Sequence, residues 1–216
     1  DWSSDVCSSD LADANAVKLV LLGDSGVGKT SIVTQYVSGT APDNVNPTIG
    51  AAFVTKDVNI DGQQLELLIW DTAGQEVYRG LAPMYYRSAL IAIIVFDVTK
   101  AESFDSVSYW IKELKTNVEE SIVILVCGNK IDLEEKRVIE FQSANSMANE
   151  NGALYAETSA SSGAGVDRMF QVAISNLLQT KGNIIDSPGN NVNIQENDGP
   201  RRKKCCRSEE RRVGRV

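Results

Sequence analysis

Val17-Lys18-Leu19-Val20-Leu21-Leu22-Gly23-Asp24-Ser25-Gly26-Val27-Gly28-Lys29-Thr30-Ser31-Ile32-Val33-Thr34-Gln35-Tyr36-Val37 decides the fold. The apolar run to Leu22 predicts a buried strand, and the stretch from Ser31 predicts a helix. Between them Gly23 to Thr30 matches GxxxxGK[ST] in the strand, turn, helix order that makes the string a phosphate cradle; an ordinary glycine-rich turn is the bland alternative. Glycine lets successive backbone N–H groups turn inward toward an anion, and a helix opening at Lys29 adds the positive end of its dipole. The candidate phosphate contacts are Asp24, Ser25, Gly26, Val27, Gly28, Lys29, Thr30 and Ser31. Lys29 is placed to reach the terminal phosphates, and the Thr30 hydroxyl to sit on Mg²⁺.

Outward from this stretch, strands and helices alternate. Residues 38–50 are rich in turn formers and read as a long loop of the kind that often carries function. Ala51 to Ile60 and Leu65 to Trp70 read as strands joined by Asp61-Gly62, a hairpin signal that makes them antiparallel. A second loop spans Asp71 to Pro83, with Met84 to Arg87 in a short helix. Ala89 to Asp97 and Ile122 to Gly128 read as apolar strands, and Ala153 to Ala156 as a short one. Thr99 and Glu102 suggest a capping box ahead of a helix with Phe104, Val107, Trp110, Ile111 and Leu114 on one face. Helices are also expected over Ile139 to Asn149 and on the stripe Val166, Met169, Phe170, Ala173, Leu177. Apolar strands between amphipathic helices predict an α/β fold with a mostly parallel sheet covered on both faces.

Composition bounds the function. The 216 residues suit one α/β domain with tails. The net charge of −8 argues against general nucleic-acid binding. The four cysteines show no zinc spacing and no disulfide framework, which points to a reducing setting. The absence of histidine excludes the usual catalytic triads.

Three further motifs fall directly after apolar strands, where ligands of open α/β sheets gather. In Asp71-Thr72-Ala73-Gly74-Gln75, Asp71 is suited to the Mg²⁺ shell, Gly74 to presenting its N–H to a terminal phosphate, and Gln75 to orienting a water for in-line attack. In Asn129-Lys130-Ile131-Asp132, the carboxylate is suited to accepting from guanine N1–H and the 2-amino group, which adenine cannot match. Lys130 is suited to lying along the base. In Glu157-Thr158-Ser159-Ala160, the Ala160 N–H is a candidate partner of the guanine 6-keto oxygen.

In order and spacing, Gly23–Thr30, Thr48, Asp71–Gln75, Asn129–Asp132 and Glu157–Ala160 resemble the five nucleotide-binding motifs of Ras-like small GTPases over about Val17 to Leu178. Ile49-Gly50-Ala51-Ala52-Phe53 and Leu81 to Arg87 resemble the Rab branch, nearest its early-endosomal members. The resemblance implies a P-loop NTPase fold with a six-stranded sheet, one antiparallel strand and about five helices. It implies GTP and GDP with Mg²⁺ as ligands, and slow GTP hydrolysis as a switch in vesicle traffic. Thr48 would join Thr30 and Asp71 at Mg²⁺, Lys29 and Gln75 would serve catalysis, and Ser159 and Ala160 would flank the base. Two switch loops would span about Ala41–Gly50 and Asp71–Tyr86. Ile49, Gly50, Phe53, Trp70 and Tyr85 match positions that Rab effectors read. Implied partners are exchange factors, GTPase-activating proteins, effectors and a GDI or escort protein, acting on a monomer. Three positions depart from the pattern: Ala41 replaces an aromatic that covers the base, Val77 replaces an arginine, and Ser161 replaces a lysine. Ala41 is expected to weaken nucleotide retention.

Residues 180–206 read as a flexible tail ending in Arg201-Arg202-Lys203-Lys204-Cys205-Cys206. Cys205 and Cys206 resemble the geranylgeranylated double cysteine of Rab proteins. Two lipids and a basic run suit stable anchoring on the cytoplasmic, endosomal face of a membrane, in exchange with cytosol. Residues 1–11 and 207–216 resemble translated sequencing adapters and are set aside, leaving 12–179 as the GTP-binding domain. Two other classes stay open: an ATP-using P-loop enzyme, and a scaffold that binds nucleotide without hydrolysis.

Overall fold

The computed structural model describes residues 15–41, 46–74, 82–118 and 122–185. Its central strand is β1 (Ala16–Leu22). On one side lie β3 (Gln63–Thr72) and then β2 (Ala51–Ile60); on the other lie β4 (Ile91–Asp97), β5 (Val123–Asn129) and β6 (Leu154–Thr158). Every pairing is parallel except β2 with β3. That ladder runs in unbroken register from Ala51 opposite Thr72 to Ile60 opposite Gln63. Asp61 and Gly62 close it with φ of 52° and 81°. Both are positive, as the tight two-residue hairpin turn requires.

Alternation along β1 sorts the core into two layers. Val17, Leu19 and Leu21 face a layer with α1 (Lys29–Ser38) and α5 (Val166–Ile185). There Tyr36 stacks on Phe170, ring centroids 3.8 Å apart and 12° from parallel. Val20 and Leu22 face the layer of α2 (Ala82–Tyr86), α3 (Ala101–Asn117) and α4 (Phe141–Glu150). β4 and β5 are buried along their whole length, so apolar residues follow one another there without alternation. No helix among the described residues is long and apolar enough to cross a membrane.

Two expectations are corrected. The Thr99–Glu102 capping box does not form: α3 starts after Lys100, with no side-chain cap. Thr99 instead gives both its amide and its hydroxyl to Asp97 Oδ1, at 2.9 and 2.6 Å, because that buried carboxylate needs donors more than an exposed helix end does. The last helix also runs on to Ile185, five residues beyond Thr180, where the amphipathic pattern ends. Each further residue adds a backbone bond to a helix already nucleated.

Candidate functional site

The strand order reverses at β1, whose neighbours β3 and β4 lead to opposite edges. A crevice beyond the carboxyl ends of the strands follows from that reversal. The loop from β1 to α1 enters it, and Gly28 ends that loop in the left-handed conformation, φ 101°. A Cβ on Gly28 would lie 2.3 Å from Asn129 Nδ2, so this position tolerates only hydrogen. α1 then opens on a cavity of about 280 Å³ lined by Ser25, Gly26, Gly28, Lys29, Thr30 and Ser31 from the cradle, and by Thr48, Thr72, Gly74 and Lys130 from other segments.

Lys29 is buried, and its ammonium donates to the Gly23 and Asp24 carbonyls at 2.8 Å each. Desolvation lowers its pKa to about 8, against the pull of Asp71 and Asp24. Gly74 packs against this pair: a Cβ there would fall 2.4 Å from the Asp24 carbonyl and 2.5 Å from Lys29 Nζ. Asp24 is braced from α3 by Ser106, whose hydroxyl donates to Oδ2 at 2.7 Å.

Three oxygen side chains from distant segments meet beside Lys29. Thr30 Oγ1 donates to Asp71 Oδ2 at 2.6 Å and lies 2.9 Å from Thr48 Oγ1. Burial raises the Asp71 pKa above the ordinary carboxylate value, while Thr30, Lys29 and Thr48 draw it back. Asp71 Oδ1 is buried without a hydrogen-bond partner among the described residues. An orphaned carboxylate oxygen beside two hydroxyls is a hard-oxygen donor set of the sort Mg²⁺ takes, so these residues fit that ion.

A second cavity, about 200 Å³, continues past Gly28, Ser31 and Lys130 to Ala41, Asn129, Asp132, Ala160 and Ser161. Asn129, at the end of β5, is almost fully buried and braces its surroundings. Its amide donates to the Val27 carbonyl at 2.9 Å, and its Oδ1 accepts from Thr158 Oγ1 and the Ala160 amide at 3.2 Å each. The Ala160 N–H, assigned from sequence to a base oxygen, is therefore spent on Asn129 here. Lys130 sits at φ 70°, and its ammonium reaches the Gly26 carbonyl at 2.7 Å and Asp97 Oδ2 at 2.6 Å. Asp132 accepts a 2.5 Å hydrogen bond from Ser159 Oγ.

Phe53 and Trp70 face each other across the β2–β3 ladder, ring centroids 5.1 Å apart, and Tyr85 lies 6.0 Å from Trp70. Phe53 is half exposed and Ile49 largely so. A Cβ on Gly50 would come 3.7 Å from the Tyr85 hydroxyl, so four of the five surface positions form one contiguous group. Gln75, Val77, Cys205 and Cys206 lie outside the described residues, as do residues 42–45 of the first expected switch loop, 75–81 of the second, and the terminal segments 1–11 and 207–216.

Asp97, Ser106 and Arg137 carry no motif in the sequence, and Thr158 enters there only as part of Glu157–Ala160. Asp97 carried a faint signal, since it closes an apolar strand as Asp71 does. A separate cavity, about 390 Å³ and lined by Pro83, Tyr86, Arg87, Ser88, Ala89, Asn117 and Val118, shares no residue with this crevice.

The sequence profile of the Ras family matches residues 18–179, three quarters of the chain, including every residue named as lining the crevice. The chain belongs to the Ras family. It is also similar to the Ras-related protein RabJ of Dictyostelium discoideum, with 47% identity over 166 residues. That alignment covers 77% of this chain and 65% of the relative.

Proposed function

We propose that this Ras-family chain binds guanine nucleotide with Mg²⁺ and hydrolyses GTP slowly, as a timed switch in membrane traffic. The observation that carries the reading is the meeting of Lys29, Thr30, Thr48 and Asp71 at one end of a two-part crevice whose other end holds Asp132. Lys29 and the cradle amides neutralise the β- and γ-phosphates. Thr30, Thr48 and Asp71 would hold Mg²⁺, which would supply further positive charge against those phosphates. Gln75 orients the attacking water. Asp132, steadied by Ser159, reads the guanine edge, and Asn129 and Lys130 tie that end to the cradle. Catalysis by positioning and electrostatics leaves the intrinsic rate low until a partner completes the site.

The finer assignments belong to the same proposal. Phe53, Trp70 and Tyr85, with Ile49 and Gly50, form the surface that effectors read in the GTP state. Exchange factors and GTPase-activating proteins act on the loops around Thr48 and Gln75. Cys205 and Cys206 carry prenyl groups that hold the protein on the cytoplasmic face of endosomal membranes, with a GDI or escort protein returning it to cytosol.

The test is competition of GTP and ATP against a fluorescent guanine nucleotide in Mg²⁺, followed by single-turnover hydrolysis with Gln75→Leu as control. Guanine preference with turnover that the variant loses supports the reading. Equal competition by ATP refutes it, and tight binding without turnover reduces the protein to a scaffold.

A further inference from the structure

The carboxylate assigned to the base stands on weak footing of its own. Asp132 belongs to a 3-10 turn over Ile131–Lys136 in which no residue is buried, and Leu133 breaks the helical geometry at φ −95°, ψ 45°. Within the turn only Ile131, at its start, packs against the hydrophobic core, so the position of the rest depends on what holds its ends.

One end is Lys130, already tied to Gly26 and Asp97. The other is Arg137, whose side chain is only 10% exposed. Its guanidinium makes four bonds to three partners. Nε donates back into the turn to Glu134 Oε2 at 2.9 Å. Nη1 donates to the Ile139 carbonyl at 3.1 Å. Nη1 and Nη2 fork onto Glu157 Oε1 and Oε2 at 2.9 and 3.0 Å. The Tyr155 hydroxyl donates to Glu157 Oε1 at 2.8 Å and so fixes the carboxylate from within β6. Two residues beyond Glu157 is Ser159, which returns to Asp132 Oδ1.

The contacts close a ring: Asp132, the turn, Arg137, Glu157, Ser159, and back to Asp132. We infer that Arg137, acting through its fork on Glu157, is a positioning residue for base recognition. It holds the Asp132 carboxylate at the height where it meets both N–H groups of a guanine edge. Neither Arg137 nor Glu157 lines the base-side cavity, so the effect passes through the turn and not through contact with the ligand. Lysine cannot replace the arginine, because a point charge makes no planar two-bond fork. This inference rests on the guanine-nucleotide reading proposed above.

Loss of the fork lets Asp132 drift, and a ligand is penalised for each hydrogen bond it draws from that carboxylate. Guanine draws two. Hypoxanthine, lacking the 2-amino group, draws one. The experiment measures dissociation of GDP and of IDP from the full chain, with and without chelation of Mg²⁺, for wild type, Arg137→Lys and Glu157→Gln. GDP release is expected to speed up about tenfold in both variants, and IDP release by about threefold or less. The acceleration caused by withdrawing Mg²⁺ should stay at the wild-type factor, since the fork does not touch Thr30, Thr48 or Asp71.

Equal acceleration of GDP and IDP would mean general loosening and overturns the inference, as does unchanged release. Both substitutions keep the size of the side chain, and thermal melting confirms that each variant is folded before release is timed. Wild-type protein that holds GDP no better than ADP strikes the proposed function itself, a result distinct from any behaviour of the variants.

Discussion

The two ends of the crevice are built on opposite plans. At the base end, polar side chains find partners within the protein: Asn129 with the Val27 carbonyl, Thr158 and the Ala160 amide, Lys130 with Asp97 and the Gly26 carbonyl, Asp132 with Ser159, Arg137 with Glu157. At the phosphate end, Thr30, Thr48 and Asp71 converge from three segments, yet Asp71 keeps a buried oxygen without a partner and Lys29 carries a lowered pKa. One end is finished by the protein alone. The other holds groups whose burial is unfavourable until an anion and a cation arrive. On the proposed function, specificity is preformed, while affinity is left in a state that a ligand relieves.

Removing Lys29 should break this contrast most severely. Lys29→Ala deletes the one buried ammonium in the cradle, and nucleotide affinity should fall about a hundredfold or more by fluorescence titration. The same change should leave the melting temperature of nucleotide-free protein level or raise it, because an unfavourably buried charge is gone. Next in size, Asp132→Asn should cut the preference for guanine over xanthine nucleotides by about a hundredfold. Competition titrations check it, and retained guanine preference would place base reading elsewhere. Asp71→Asn should abolish the slowing of GDP release by Mg²⁺ without lowering the stability of nucleotide-free protein, since an amide oxygen still accepts from Thr30.

The pKa of Lys29 gives a gentler probe. Its folded value, about 8, lies below the ordinary lysine value of 10.5. Between these the unfolded chain binds more protons, so the stability of nucleotide-free protein should rise with pH from about 8 to about 10.5. Phosphate favours the charged amine, so binding should take up protons and weaken as pH climbs past 8. Calorimetry at pH 8.5 in buffers of different ionisation enthalpy measures that uptake. Smallest is Ala41→Phe at the rim of the base-side cavity. Covering roughly 50 Å² of apolar surface should slow GDP release about five- to tenfold. No slowing would mean that Ala41 does not limit retention.

The asymmetry also explains what the chain revealed beforehand. The cradle, β2, β3 and their hairpin announce themselves locally, through glycine spacing, alternation and Asp61-Gly62. β2 was read residue for residue, and β3 to within two residues at each end. The side-chain braces of the crevice do not, because they join residues remote in sequence. Ser106 and Asp24 are separated by 82 positions, and neither has a pattern that points to the other. Arg137 carries no local mark of its role, because its partner Glu157 is delivered by β6 from twenty residues away. Thr99 misled for a related reason: local spacing proposed a cap, and a buried carboxylate two residues earlier claimed its donors.

The lone antiparallel pairing in the sheet has a geometric corollary. Because β2 and β3 run in opposite directions, the segment that delivers Thr48 and the one that delivers Gly74 leave the sheet at the same end of the ladder, where the Ala73 amide is tethered to the Gly50 carbonyl at 2.8 Å. Had the two strands run the same way, ten residues of extended chain would separate those segments by about 30 Å. As built, they are yoked, and a pull on either is transmitted to both.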